Sequence, residues 1–123
     1  MEVSSDLFES SRSQTISLAP GAVLLRRFAL VDACPLLSEV QEISARAPFR
    51  HLITPGGLRM SVAMTNCGAV GWVSDRSGYR YDRIDPDTGQ GWPPMPSLFL
   101  CLATTAAAAA GFSDYAPDVC LIN

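Results

Sequence analysis

An α+β fold is predicted for this 123-residue chain by three observations. Two segments carry helical spacing or composition, several short runs carry strand period, and breaker-rich connections separate them. Hydrophobic residues make up 48% of the chain and charged residues 17%, which suits one small packed domain rather than a disordered chain.

Residues 1–20 are expected to form a flexible N-terminus, Ser-rich with scattered charge, closed by a turn at Pro20-Gly21. Ala22 to Phe28 is a short β-like run. Asp32 is placed to cap a helix over residues 33–47, with Pro35 tolerated in its first turn. Leu36, Val40, Ile43 and Ala47 fall on one face of that helix, and Pro48 ends it. Residues 49–59 form a loop around Pro55-Gly56-Gly57. Met60 to Thr65 alternates with strand period and Asn66-Cys67-Gly68 reads as a turn. Residues 71–74 and 79–82 pair as a hairpin with residues 75–78 as its loop. Residues 84–96 hold four prolines and two glycines and form an irregular connection. Pro96 opens a helix over residues 97–110, which Gly111 stops. Residues 118–123 form an apolar strand in which the chain ends, so the sequence is expected to be a cut chain.

Composition removes several function classes. The net charge is −3, so there is no global basic field for nucleic acid. All nine basic residues are Arg, which excludes Schiff-base chemistry and a P-loop lysine. No apolar run reaches membrane-spanning length and no secretory signal is visible, so a reducing, cytoplasmic setting is expected. Cys34, Cys67, Cys101 and Cys120 are widely spaced, which argues against structural zinc and assigns all four to packing as small buried hydrophobes. The single histidine, His51, is read as a surface or capping residue. Asp85 and Asp87 could be paired carboxylates, but aspartates in such loops more often bond their own backbone.

The charge is unevenly placed. Residues 50–83 carry five Arg against Asp75 and Asp82, a net +3, while residues 1–49 sum to −2 and residues 84–123 to −4. The basic island also holds Trp72, Tyr79 and Tyr81. Arginines meet phosphates and ring faces stack on unpaired bases, so this mixture suits a nucleic-acid strand. A solvated hairpin with a few core aromatics is the commoner origin of such a pattern. Met60 and Met64 could line an adaptable pocket, against half-buried strand packing as the ordinary reason for their spacing.

The segment TPGGLRMSVAMTNCGAVGW, residues 54–72, closely resembles the N-terminal half of the AlkB family of alkylated-DNA repair dioxygenases. The resemblance extends through GAVLLRRFA, APFRHLITPGG, GYRYDRIDPDTGQGWPPMP and AAAGFSDYAPDVCLIN, covering nearly everything after residue 20. It implies a nucleotide-recognition lid, about residues 50–96, plus flanking helices and the first strands of a double-stranded β-helix (jelly-roll) core, about residues 97–123. It also implies an enzyme that uses Fe(II) and 2-oxoglutarate to demethylate 1-methyladenine and 3-methylcytosine in DNA or RNA, acting as a monomer. By position, Trp72 matches the tryptophan that stacks on the flipped base, and Tyr79 the tyrosine on the nucleotide's phosphate side. Arg80 and Tyr81 lie in the same substrate-contacting stretch. Thr54, Pro55, Gly56, Met60, Ser61 and Met64 match lid positions near the backbone and base pocket, and Asn123 matches the 2-oxoglutarate asparagine.

The family's iron site needs two histidines and a carboxylate, and this sequence has one histidine in a different segment. The chain is therefore expected to hold most of a lid, no iron ligands and no cofactor, to be inactive alone, and to be unstable or aggregation-prone. The competing expectations are a short nucleic-acid-binding module without chemistry and a half that docks on a separate core.

Overall fold

The structure is a computed structural model that describes residues 14–123. Of the expected flexible terminus, residues 1–13 lie outside this range, but Gln14–Ala19 is a strand, β1. It pairs antiparallel with β2, Ala22–Arg26, around the Pro20-Gly21 turn, with an irregularity between Ser17 and Ala19. The alternation Thr15-Ile16-Ser17-Leu18 carries this strand, and only Ile16 of it is even half-buried.

A short 3-10 turn, Leu30–Asp32, leads into α1, Ala33–Arg46. Ile43 and Ala47 are buried on its inner side, with Leu36 and Val40 half-buried, as the spacing predicts. Asp32 occupies the cap position but makes no side-chain cap bond. Its backbone is already turned, and Pro35 removes the N–H that a cap oxygen three residues earlier would accept.

The expected strand over residues 60–65 is not formed. Met60 N–H donates to Leu52 O (2.8 Å), and Met64 and Arg50 exchange both backbone bonds at 2.9 and 3.1 Å. Three residues, Ser61–Ala63, therefore stand opposite His51 alone, and the ladder bulges there. The strand begins later, as β3, Thr65–Gly68, where a turn was expected. β3 pairs antiparallel along one edge with β6, Val119–Ile122, matching Cys67 to Cys120.

β4, Gly71–Asp75, and β5, Gly78–Asp82, form the third two-stranded sheet. Its connection is tighter than expected, with Ser77 N–H donating to Asp75 Oδ1 at 2.9 Å. Val73 packs with Ala47 and Trp92 at the centre of the core. Gly71 allows this, because a β-carbon there would sit inside the Trp92 ring. The irregular 84–96 segment crosses behind the hairpin, and Trp92 Nε1–H donates to Asp82 O at 2.9 Å.

α2, Ser97–Ala109, follows, and none of its residues is buried. Its end is sealed by Gly111 at φ +97°, with Gly111 N–H on Ala108 O (3.0 Å) and Phe112 N–H on Ala107 O (2.8 Å). Among the described residues no helix is long and apolar enough to cross a membrane. The packing role assigned to all four cysteines holds only for Cys67: Cys34 and Cys101 are exposed on the helices and Cys120 is half-buried. Both helices bury so little of their surface that their cysteines stay in solvent.

Candidate functional site

The β4–β5 hairpin sorts its side chains by strand parity. Trp72 is directly opposite Tyr81 and Ser74 opposite Tyr79, so these four share one face, while Arg80 stands opposite Val73 on the other. Trp72 and Tyr79 are diagonal neighbours and stack, with ring centroids 5.6 Å apart and planes 15° apart. Tyr79 is 60% exposed and Tyr81 64%. Trp72, Tyr81, Val119 and Leu121 line a cleft of about 350 Å³ on this aromatic face.

The backbone under Trp72 is held by Asn66, which is buried. Trp72 N–H donates to Asn66 Oδ1 (3.1 Å) and Asn66 Nδ2 donates to Trp72 O (3.2 Å). The carboxamide thus mimics a strand partner and ties β3 to β4 beneath the aromatic ring. Ser74 Oγ donates to Ile53 O (2.7 Å), which draws the preceding loop over the hairpin.

That loop is itself a tight turn. Gly57 N–H donates to Thr54 O, Thr54 N–H to Leu58 O, both 2.8 Å, and Leu58 N–H to Thr54 Oγ1 at 3.0 Å. Pro55 and Gly56 form its exposed tip. The Arg76 guanidinium, from the hairpin turn, lies over Gly57. Thr54, Pro55, Gly56 and an exposed cation are therefore neighbours. Met60 is half-buried, Ser61 exposed and Met64 buried, so the three do not share one surface. His51 donates from Nδ1 to Met60 O (2.9 Å) and is half-buried.

Arg80 is ion-paired on the opposite face, with Nη1 2.9 Å from Asp75 Oδ2 and Nε 3.4 Å from Asp82 Oδ2. Its charge is held up mainly by the Asp75 hydrogen bond. Asn123 is exposed just beyond the end of β6.

Beneath the site lies a buried ion pair. Arg50 Nη1 and Nη2 donate to Asp85 Oδ1 and Oδ2 at 2.6 and 2.7 Å, and the guanidinium lies 5.1 Å from the centre of the Trp92 ring. The side chains are 10% and 1% exposed. Burial works to raise the Asp85 carboxyl, but the Arg50 hydrogen bonds, the Asp87 N–H and the Arg50 charge together hold it below the usual range. Asp85 also accepts the Asp87 N–H at 2.9 Å, so the expected turn role is present within a larger anchor. Asp87 stays exposed and approaches Arg50 at 3.6 Å, which leaves no free carboxylate pair for acid–base work.

Sequence reasoning missed Asn66 and the cleft lining by Val119 and Leu121, and held Arg76 only as one of the five arginines of the basic island. Asn66 had one available signal: an Asn inside an apolar run six residues before a tryptophan. Among the described residues no group of three His, Cys, Asp or Glu could hold a metal ion. The donors present do not fit an iron centre that needs two imidazoles and a carboxylate.

The family model of the 2OG-Fe(II) oxygenase superfamily matches residues 15–123. The alpha-ketoglutarate-dependent dioxygenase AlkB of Escherichia coli K12 is 50% identical over 118 residues, 96% of this chain and 55% of that protein. The protein of the same name from Salmonella typhimurium gives the same identity and coverage. An alpha-ketoglutarate-dependent dioxygenase AlkB homolog of Caulobacter vibrioides is 43% identical over 88 residues, 72% of this chain and 38% of that protein. The chain spans about half the length of the curated relatives it matches. By the extent of these matches, the chain belongs to the 2OG-Fe(II) oxygenase superfamily and, within it, to the AlkB family.

Proposed function

We propose that this chain is the nucleotide-recognition part of an Fe(II)- and 2-oxoglutarate-dependent dioxygenase that oxidatively demethylates alkylated bases in DNA or RNA. One observation carries the reading: a stacked Trp72–Tyr79 pair stands on an exposed hairpin face beside a cleft of about 350 Å³. A base taken out of its stack needs an aromatic surface of this kind, and a methylated purine or pyrimidine such as 1-methyladenine or 3-methylcytosine presents a ring face to it. Tyr79 backs one face of the indole and Asn66 fixes its backbone, so the ring is presented in a set orientation. Thr54, Pro55 and Gly56, with the Arg76 charge beside them, supply the phosphate side.

Iron and 2-oxoglutarate, when bound by the parent enzyme, supply the oxidation. The described residues offer no iron triad, so no chemical step is assigned to them. Asn123 is the one residue assigned to 2-oxoglutarate, by its match to the family's asparagine. A reducing cytoplasmic compartment suits both Fe(II) and a nucleic-acid substrate.

The test is binding of a single-stranded oligonucleotide carrying one 1-methyladenine, followed by fluorescence anisotropy. Trp72→Ala is expected to weaken it by about 1–3 kcal/mol, the usual stacking contribution. Unchanged affinity removes Trp72 from the site and the reading with it.

A further inference from the structure

Cys67 in β3 and Cys120 in β6 are directly opposed across an antiparallel pair. Opposed residues in such a ladder have Cα atoms about 4.5–5.5 Å apart and side chains on the same face. That separation falls inside the range a disulfide spans. The two thiols differ in access, since Cys67 is 0% exposed and Cys120 is half-buried. They also differ in charge. A hydrogen bond from the Cys67 thiol, opposed by burial, lowers Cys120 to about 7. The same bond, with burial, pushes Cys67 well up, so it keeps its proton. A half-buried sulfur whose thiolate is favoured is thus backed by a buried thiol that keeps its proton.

We propose that Cys67 and Cys120 form a reversible dithiol–disulfide site that reacts with hydroperoxides, Cys120 as the attacking sulfur and Cys67 as the resolving one. The Cys120 thiolate attacks one peroxide oxygen; the O–O bond breaks, the leaving oxygen takes a proton as water, and Cys120 becomes a sulfenic acid. The Cys67 sulfur then attacks the Cys120 sulfur, the S–OH bond breaks, and the hydroxide leaves as water with the Cys67 proton. In total two thiols and one hydrogen peroxide give one disulfide and two waters. Strand parity turns the two thiols to the face of the β3–β6 pair opposite Asn66, Val119 and Leu121, away from the cleft beside Trp72. The chemistry itself requires no nucleic acid, so its failure and that of the proposed function are separable.

The test treats the reduced 123-residue chain with a small excess of hydrogen peroxide at pH 7 in the presence of a chelator. Remaining thiols are alkylated in denaturant, and the tryptic digest is mapped by mass spectrometry. The expected product is lighter by about 2 Da. It joins peptides 60–76 and 84–123 with the link placed at Cys67 and Cys120 by fragmentation; Cys34 and Cys101 are alkylated, and dithiothreitol reverses the change. At pH 5 the reaction is expected to slow by about fiftyfold, following the thiolate fraction of a group near 7. Cys67→Ser should leave a Cys120 sulfenic acid that dimedone traps; if that variant does not fold, the map of the unaltered chain decides alone. Accumulation of Cys120 sulfinic acid beside an alkylated Cys67, or disulfides reaching Cys34 or Cys101, would overturn the proposal.

Discussion

Replacing Arg50 by Met tests the anchor beneath the site. Met keeps most of the aliphatic stem that lies along Trp92 and removes only the guanidinium. Asp85 then stays buried with the Asp87 N–H and the Thr88 hydroxyl as partners, having lost both short Arg50 bonds. Removing one member of a buried pair costs about 3–5 kcal/mol. At roughly 0.05–0.15 kcal/mol per residue the whole chain has about 6–18 kcal/mol, so the loss is a large share. With a urea m-value of about 1.5 kcal/mol/M, the midpoint should fall by roughly 2–3 M. The sign of the pH dependence is diagnostic. In the unaltered chain the Asp85 carboxyl is held below its unfolded value near 3.9, so its contribution is complete above that pH and is lost as pH falls through the folded value. In Arg50→Met the Arg50 hydrogen bonds and charge are gone while the burial stays, so the carboxyl rises from that low value and the variant lacks the stability that its ionisation contributes in the unaltered chain. The gap between the two proteins is therefore widest near pH 7 and closes below about pH 4. Urea titrations followed by circular dichroism at both pH values measure it. A gap under about 1 kcal/mol at pH 7, or one that does not shrink on acidification, refutes the reasoning.

Gly71→Ala places a β-carbon inside the Trp92 ring and should cost about 1–3 kcal/mol as overpacking, read as a lower thermal midpoint; an unchanged midpoint means the Trp92 contact is not tight. Among the described residues Arg76 has no acidic partner, whereas Arg80 has two, Asp75 and Asp82. Arg76→Ala should therefore lower the salt slope of single-stranded DNA binding by about 0.7, while Arg80→Ala leaves it unchanged; the reverse ranking would move the phosphate track to the other face of the hairpin.

Much of the local structure was legible because it rests on local rules. The apolar spacing of Leu36, Val40, Ile43 and Ala47 fixed α1, Gly111 fixed the end of α2, and the Asp75–Gly78 turn fixed the β4–β5 hairpin. The aromatic face follows from the same source, since hairpin register alone puts Trp72 opposite Tyr81. What failed depends on distant partners. Asn66-Cys67-Gly68 has turn composition, but Asn66 spends its carboxamide on Trp72 and the segment pairs with residues more than fifty positions later. The alternation over residues 60–65 is real, yet a bulge opposite His51 interrupts its backbone pairing. Arg50 and Asp85 lie 35 residues apart, and no local pattern connects them.

Burial predicts how stability is distributed along the chain. β3 and β4 carry Thr65, Asn66, Cys67, Val73 and Ser74, all buried, with Thr65 Oγ1 donating to Ala47 O at 2.7 Å. α2 carries no buried residue. Its apolar side chains are half-buried at most, its first turn has no side-chain cap, and Thr104 and Thr105 turn their hydroxyls back onto the carbonyls of the preceding turn, at Leu100, Cys101 and Leu102. What holds α2 is alanine-rich propensity and the Gly111 seal, and a 13-residue helix is marginal on those terms. Native-state hydrogen exchange should therefore find α2 opening separately, with its amides exchanging at least about tenfold faster than those of Asn66 and Val73, a difference of roughly 1.4 kcal/mol. The β4–β5 aromatic face would then rest on the more protected unit, as a stacking surface requires. Exchange of α2 at the same free energy as β3 and β4 would instead make the chain one cooperative unit, and stability could not be assigned to the buried centre alone.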